Sequence, residues 1–257
     1  MPWNPEIYNQ FKNVRYQPFF DLMSLISEGG LKKAIDIGCG TGEQTSILAD
    51  KFEQASFTGI DASAEMLQGS GEWSQKNLLF RISTVEDFIA SHTEEKWDLI
   101  FSNAALQWSD DHAHLFPKLI SLLNEGGQFA VQMPVQNENK LNKILLELAK
   151  EEPYASYLDH WKRETPMLSI DDYAQIMFEA GLQDIQIVQK VYPIIADSEK
   201  TLFDFISGSA LIPYLERLSK EQQEPFVTEY KSRIKDEFGR FPAIYAFKRL
   251  LLYGKKA

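Results

Sequence analysis

Lys32-Lys33-Ala34-Ile35-Asp36-Ile37-Gly38-Cys39-Gly40-Thr41-Gly42-Glu43 is the stretch on which the fold of this chain turns. An apolar run ends in an acid, glycine recurs at every second position, and a helix-compatible segment follows from Gln44 to Phe52. That order reads as a buried parallel strand turning tightly into a helix. Glycines suit the turn because, lacking Cβ, they reach unusual backbone angles and let a ligand lie against the main chain. The free N–H groups that open the helix attract electron-rich atoms.

Spacing narrows the reading. A dinucleotide fingerprint is G-x-G-x-x-G, whereas here the pattern is Asp36-x-Gly38-x-Gly40-x-Gly42, which sets a nicotinamide-dependent oxidoreductase aside. A second apolar strand, Ser56 to Ile60, leads to Asp61, about 20 residues past the loop, as for a carboxylate that grips ribose hydroxyls. In this loop, its spacing and the second acid the chain resembles the class I S-adenosylmethionine-dependent methyltransferases. The resemblance implies S-adenosyl-L-methionine as cofactor and S-adenosyl-L-homocysteine as product. It sets Gly38, Cys39, Gly40 and Ala62 beside the cofactor, Asp36 near the methionine ammonium and Asp61 at the ribose. Plainer roles stay open: Asp36 bonding the glycine-turn N–H groups, Asp61 capping a helix that Ser63 could cap instead, and Cys39 as a small residue in a crowded turn.

Strands and helices alternate through the first half of the chain. Leu78 to Ile82, Trp97 to Phe101 and Gly127 to Met133 read as strands three, four and five, with helices at Ala64 to Gln68 and His112 to Leu123. Helix Asp171 to Ala180, stopped by Gly181, precedes strand six at Ile185 to Val188 plus Val191, and Phe247 to Tyr253 is the last strand. The expected fold is α/β and Rossmann-like: a seven-stranded, mostly parallel sheet with helices on both faces and a helical lid. One domain over 1–257 is expected, with N-terminal helices in 1–30, two of them separated at Pro18, and lid insertions at 135–169 and 197–241. Ligands in such sheets bind beyond the carboxyl ends of the strands, where Gly38 to Gly42, Asp61, Thr84 and Asn103 fall.

Composition excludes several functions. Of 257 residues 37 are acidic and 26 basic, a net charge of −11, which disfavours a nucleic-acid surface because phosphate binding needs a concentrated basic face. No apolar run approaches the roughly 20 residues that cross a bilayer. A single cysteine and a start without the pattern of a signal peptide give the expectation of a cytoplasmic protein. His92, His114 and His160 lack metal-ligand spacing, and no metal is expected.

The stretch Asn103-Ala104-Ala105-Leu106-Gln107-Trp108, with Asp111-His112 and Leu115-Phe116, narrows the resemblance to the trans-aconitate methyltransferases, which methylate a carboxylate of a small tricarboxylic acid. Val131-Gln132-Met133-Pro134, Trp3, Tyr8, Pro213-Tyr214-Leu215 and Phe247-x-Arg249 extend the match nearly end to end. The implied cofactor contacts then include Arg15, Met66, Thr84, Val85 and Asn103, with Glu86 or Asp87 as substitutes for Thr84 at the adenine. The implied acceptor contacts are Trp3, Tyr8, Gln107, Trp108 and Arg249. Two arginines of the family pattern are replaced, by Gln17 and by Ile212. Guanidinium is the group suited to bidentate carboxylate recognition, so the loss argues for a less anionic acceptor unless Arg163, Arg240 or Lys248 stands in.

The expected function is methyl transfer to a small molecule, foremost a carboxylate oxygen as in trans-aconitate. A carboxylate is ionised at neutral pH and needs no base, and no catalytic residue is assigned. Hydroxyl or amine acceptors would make His112 or Asp111 the candidate base. The alternatives are a less anionic or carrier-bound acceptor and a protein that binds the cofactor without catalysis.

Overall fold

The computed structural model describes residues 12–74, 77–91, 95–161, 163 and 165–257. The chain divides into two compact units. One holds Pro18–Pro134, Pro166–Lys190 and Arg249–Ala257; the other holds the chain up to Gln17, Val135–Thr165 and Val191–Lys248.

The first unit is built on the sheet. In chain order its elements are α1 (Lys12–Met23), β1 (Lys33–Ile37), α2 (Glu43–Lys51), β2 (Ser56–Asp61), α3 (Ala64–Leu67), β3 (Leu78–Ile82), α4 (Val85–Ser91), β4 (Trp97–Asn103), α5 (His112–Ser121) and β5 (Leu123–Pro134). After an excursion into the second unit come α8 (Ile170–Glu179), β6 (Leu182–Ala196) and finally β7 (Ala243–Lys256), the last two beginning or ending in that unit. The seven strands lie in the order β3-β2-β1-β4-β5-β7-β6. Strands β1 to β5 pair in parallel, and β7 runs antiparallel to β5 with Gln132 opposite Leu251 and Pro134 opposite Arg249. The expected seven-stranded, mostly parallel fold is present.

Strand order reverses at β1, which is flanked by β2 on one side and β4 on the other, so a crevice opens between the carboxyl ends of β1 and β4. The continuous apolar run of β1 follows from burial on both faces: Ala34, Ile35 and Ile37 are buried, and Phe57, Leu99, Phe101 and Ala130 form the same core on neighbouring strands.

Two expectations are corrected. Pro18 does not separate two helices: α1 continues through it, and the boundary between the two units falls there instead. One proline costs one helical N–H bond and some strain. Phe19 and Leu22, both fully buried in the sheet unit, outweigh it, with the Phe19 ring edge-on to Phe101 at 5.8 Å. The last strands are also longer than their apolar runs. Strand β6 alternates buried and exposed residues at the sheet edge, and its polar positions hid its length.

The second unit is helical: α6 (Lys140–Leu148), α7 (Tyr154–Tyr157), α9 (Glu199–Ser207), α10 (Ile212–Leu215) and α11 (Lys220–Phe238). Its core gathers Leu141, Ile144, Leu145 and Leu148 with Leu202, Phe205, Tyr214, Phe226 and Tyr230. The buried Tyr230 hydroxyl is satisfied by the Leu141 carbonyl at 3.0 Å. Among the described residues no helix is long and apolar enough to cross a membrane.

Candidate active site

The glycine turn is stitched to the end of β2. The N–H groups of Gly38 and Cys39 both donate to the Ile60 carbonyl, at 2.8 and 2.9 Å, and the Gly40 N–H donates to Asp61 Oδ2 at 2.9 Å. Gly38 has φ +75°, and a Cβ there would stand 2.0 Å from the Ala105 Cβ, so the loop after β4 crosses the turn too closely for a side chain. Gly40, at φ +57°, has only the Met66 Cε near its missing Cβ, at 3.4 Å. A ligand can therefore lie against the backbone at Gly40, with Met66 beside it.

The two acids have distinct surroundings. Asp61 Oδ1 also accepts from the Ser63 N–H at 2.9 Å, and Ser63 Oγ takes the Met66 N–H at 3.2 Å, so Ser63 caps α3 and Asp61 does not. The glycine-turn N–H that sequence reading left open for Asp36 goes to Asp61. Asp36 is 3 % exposed and accepts from the Thr45 hydroxyl at 2.6 Å. Burial pushes its carboxyl from 3.8 up to about 7; the Thr45 bond opposes this and the Asp61 charge adds to it. The thiol of Cys39 is buried and raised by burial and by the same two acids, which suits a space-filling residue and not a nucleophile.

Toward β3, Thr84 Oγ1 accepts from the Asp87 N–H at 3.0 Å, so the hydroxyl proposed for the adenine caps α4. Val85 beside it is buried, while Ala62, Glu86 and Asp87 are exposed.

Toward β4 an unbroken polar line crosses the sheet. Asn103 Nδ2 donates to Gln44 Oε1 at 2.8 Å, Gln132 Nε2 donates to Asn103 Oδ1 at 2.7 Å, and Arg249 Nη1 donates to Gln132 Oε1 at 2.9 Å. Gln132 and Arg249 are buried. Arg249, expected at the acceptor, is bonded to a side chain of the neighbouring strand β5.

Past β4 the chain turns at Ala104 (φ 57°) into a short 3-10 segment, Leu106–Trp108. Gln107 is buried; its Nε2 donates to the Ala104 carbonyl at 2.6 Å, which leaves the buried Oε1 without a hydrogen-bond partner. Trp108 is half exposed. His112 opens α5 as expected, but it is buried, with Nε2 2.9 Å from the Leu106 carbonyl and Nδ1 2.6 Å from the Tyr173 hydroxyl. A carbonyl can only accept, so Nε2 carries the proton and Nδ1 receives the tyrosine O–H. Burial lowers the histidine pKa, and the neutral ring holds the turn that carries Gln107 and Trp108.

In the helical unit, Arg15 Nη2 donates to the Phe205 carbonyl at 2.8 Å and its guanidinium lies 5.1 Å over the Phe205 ring. Arg163, whose pKa burial lowers, lines a small cavity with Gln136, Asn142, Thr165 and Tyr214. Gln17 is exposed and Ile212 half-buried. Trp3 and Tyr8 lie outside the described residues, as does His92. A groove of about 590 Å³ on the α4 and α5 surface is lined by Glu86, Asp111, His114 and Lys118 and includes no residue of the glycine turn. Sequence reading passed over Gln44, Thr45, Gln132 and Tyr173. Gln44 and Thr45 stand in the first turn after the glycines, a position that could have marked them; the other two are recognisable only once strands and helices are placed.

A methyltransferase-domain family model matches residues 29–197. Over the full length the chain is 37% identical to a trans-aconitate 2-methyltransferase of Deinococcus radiodurans, covering 98% of this chain and 97% of that one. It is 30% identical to a trans-aconitate 2-methyltransferase of Delftia acidovorans, covering 100% and 99%. Among solved structures, a phosphoethanolamine N-methyltransferase of Haemonchus contortus in complex with S-adenosylhomocysteine shares the fold at TM-score 0.58 and 17% identity, over 93% of this chain and 52% of that one. This chain thus spans about half the length of the nematode protein. The chain belongs to the S-adenosylmethionine-dependent methyltransferases, in the trans-aconitate methyltransferase family.

Proposed function

We propose that this enzyme methylates a carboxylate oxygen of a small polycarboxylic acid, with trans-aconitate as the leading acceptor. The names of its full-length relatives support the acid. The state of His112 supports the oxygen: both ring nitrogens are engaged, so the ring beside the Gln107–Trp108 turn has no lone pair to take a proton. An acceptor that arrives ionised needs none.

The residues at the carboxyl ends of β1, β2 and β4 fit S-adenosylmethionine. Gly40 leaves backbone open to contact, and Asp61, held by two backbone N–H groups, offers its remaining lone pairs to ribose hydroxyls. Asp36, nearly buried and ionising at about 7, is the acid to meet an ammonium group. Gln107 Oε1, a buried acceptor without a partner, offers a place for an N–H or O–H of either ligand. Met66 and Val85 supply apolar contact for a base. When bound, the cofactor supplies a methyl group made electrophilic by its sulfonium. The protein's task is alignment and exclusion of water: His112 and Tyr173 fix the turn that carries Gln107 and Trp108, and the Ala105 contact with Gly38 fixes that loop against the glycine turn. The cytoplasm remains the proposed location.

A second reading, a less anionic acceptor, is favoured by Gln17 and Ile212 where the family pattern has arginines, and by Arg15 being engaged with Phe205. Comparing kcat/KM for trans-aconitate with monocarboxylic and carrier-bound acids separates the two. The tricarboxylate is expected to lead; a monoacid leading by tenfold or more, about 1.4 kcal/mol, would transfer the assignment to the second reading.

A further inference from the structure

The line Arg249–Gln132–Asn103–Gln44 has a direction. A guanidinium has donors and no acceptor, so whichever amide atom of Gln132 faces Arg249 must be oxygen. Gln132 then turns its NH₂ to Asn103, Asn103 turns its oxygen to Gln132 and its NH₂ to Gln44, and Gln44 turns its oxygen inward. Each amide could otherwise flip at little cost. The buried arginine at one end therefore sets which atom appears at the other. That atom is Gln44 Nε2, a donor, in the first turn of α2 directly after the glycine turn and across the β1–β4 crevice from Asn103. It has no protein acceptor among the described residues.

We propose that Gln44 Nε2 donates to the carboxylate of the cofactor's amino-acid tail, with Arg249, Gln132 and Asn103 as positioning residues that hold it in the donor orientation. The tail carries one acceptor-only group and one donor-only group. The acceptors of the site, Asp36 and Gln107 Oε1, suit the ammonium, and Gln44 supplies the complementary donor for the carboxylate. Residues on β4, β5 and β7 thereby act on cofactor binding without touching the cofactor, and Arg249 is reassigned from the acceptor to this line.

Reversing the polarity without breaking the line is the test. In Gln132→Glu the new carboxylate accepts from both Arg249 and Asn103, so Asn103 must flip and Gln44 must present its oxygen. In Gln44→Glu the bond from Asn103 is kept and the outer atom becomes an anionic acceptor. Dissociation constants are measured by calorimetry for S-adenosylhomocysteine and for methylthioadenosine, which keeps the adenosine and lacks the amino-acid tail. Both variants are expected to bind S-adenosylhomocysteine about tenfold or more weakly and methylthioadenosine within about twofold of the parent. Melting temperature serves as the control for folding. Unchanged or tighter S-adenosylhomocysteine binding by folded Gln44→Glu, or equal weakening of both ligands, overturns the proposal. A parent protein that bound neither would instead overturn the cofactor assignment itself.

Discussion

Replacing the Asp36 side chain by that of asparagine tests the electrostatics at the centre of the site. The carboxyl is 3 % exposed, accepts one hydroxyl bond from Thr45, and has its pKa pushed by burial from 3.8 to about 7. Between those values the folded chain holds a proton that the unfolded chain has released, so stability falls as pH rises through this window and levels off above about 7. At about 1.36 kcal/mol per pH unit the full span amounts to about 4 kcal/mol, of which the two units from about pH 5 to about pH 7 carry about 2.7 kcal/mol. The Asp36→Asn amide never ionises, and its carbonyl can still accept from Thr45; its NH₂ adds a cost that does not vary with pH. Urea unfolding of parent and variant at about pH 5 and about pH 8 cancels that cost and all other titrations. The variant should gain about 2.7 kcal/mol on the parent between the two conditions. The same variant should lose affinity for S-adenosylhomocysteine by tenfold or more, about 1.4 kcal/mol, as the partner of the ammonium goes. Stability curves that run parallel across this range would refute the burial argument, and undiminished affinity would refute the ammonium role.

Other substitutions probe the frame. Tyr173→Phe removes the donor to His112 Nδ1 and leaves a buried acceptor unpaired, which should lower stability by about 1–3 kcal/mol and reduce kcat more than cofactor affinity, measured by thermal unfolding and steady-state kinetics. Gly38→Ala sets a Cβ onto Ala105 at a positive φ; a loss of stability of about 3 kcal/mol or more, or failure to fold, is expected, and near-parent stability would contradict the packing. Arg233→Met, which removes a fork to Glu151 and a bond to Glu229 on the surface of the helical unit, should cost under about 1 kcal/mol and leave methyl transfer unchanged.

The cofactor end of the site is legible in the sequence because it depends on local backbone chemistry. Alternate glycines after a buried strand, and an acid at the next strand's end, specify the turn and the Asp61 carboxylate within about 25 residues, and the structure places them as that pattern requires. What was hidden depends on partners distant in sequence. Gln132 and Arg249 are separated by 117 positions and meet only because β7 lies antiparallel to β5; Tyr173 reaches His112 from 61 positions away. Thr84 misled for the opposite reason: its hydroxyl stands three residues before Asp87, and local capping of α4 takes the atom that a ligand would need. Strand β6 escaped because an edge strand alternates polar and apolar residues, so only a short apolar core stands out.

The central claim, methyl transfer to a carboxylate, is tested most directly by the product. S-adenosylmethionine carrying an isotopically labelled methyl group, incubated with trans-aconitate and the enzyme, should give equal amounts of S-adenosylhomocysteine and a monomethyl ester that releases labelled methanol on mild alkaline hydrolysis. Label that stays attached through alkali, or that appears only with a hydroxyl or amine acceptor, would contradict it.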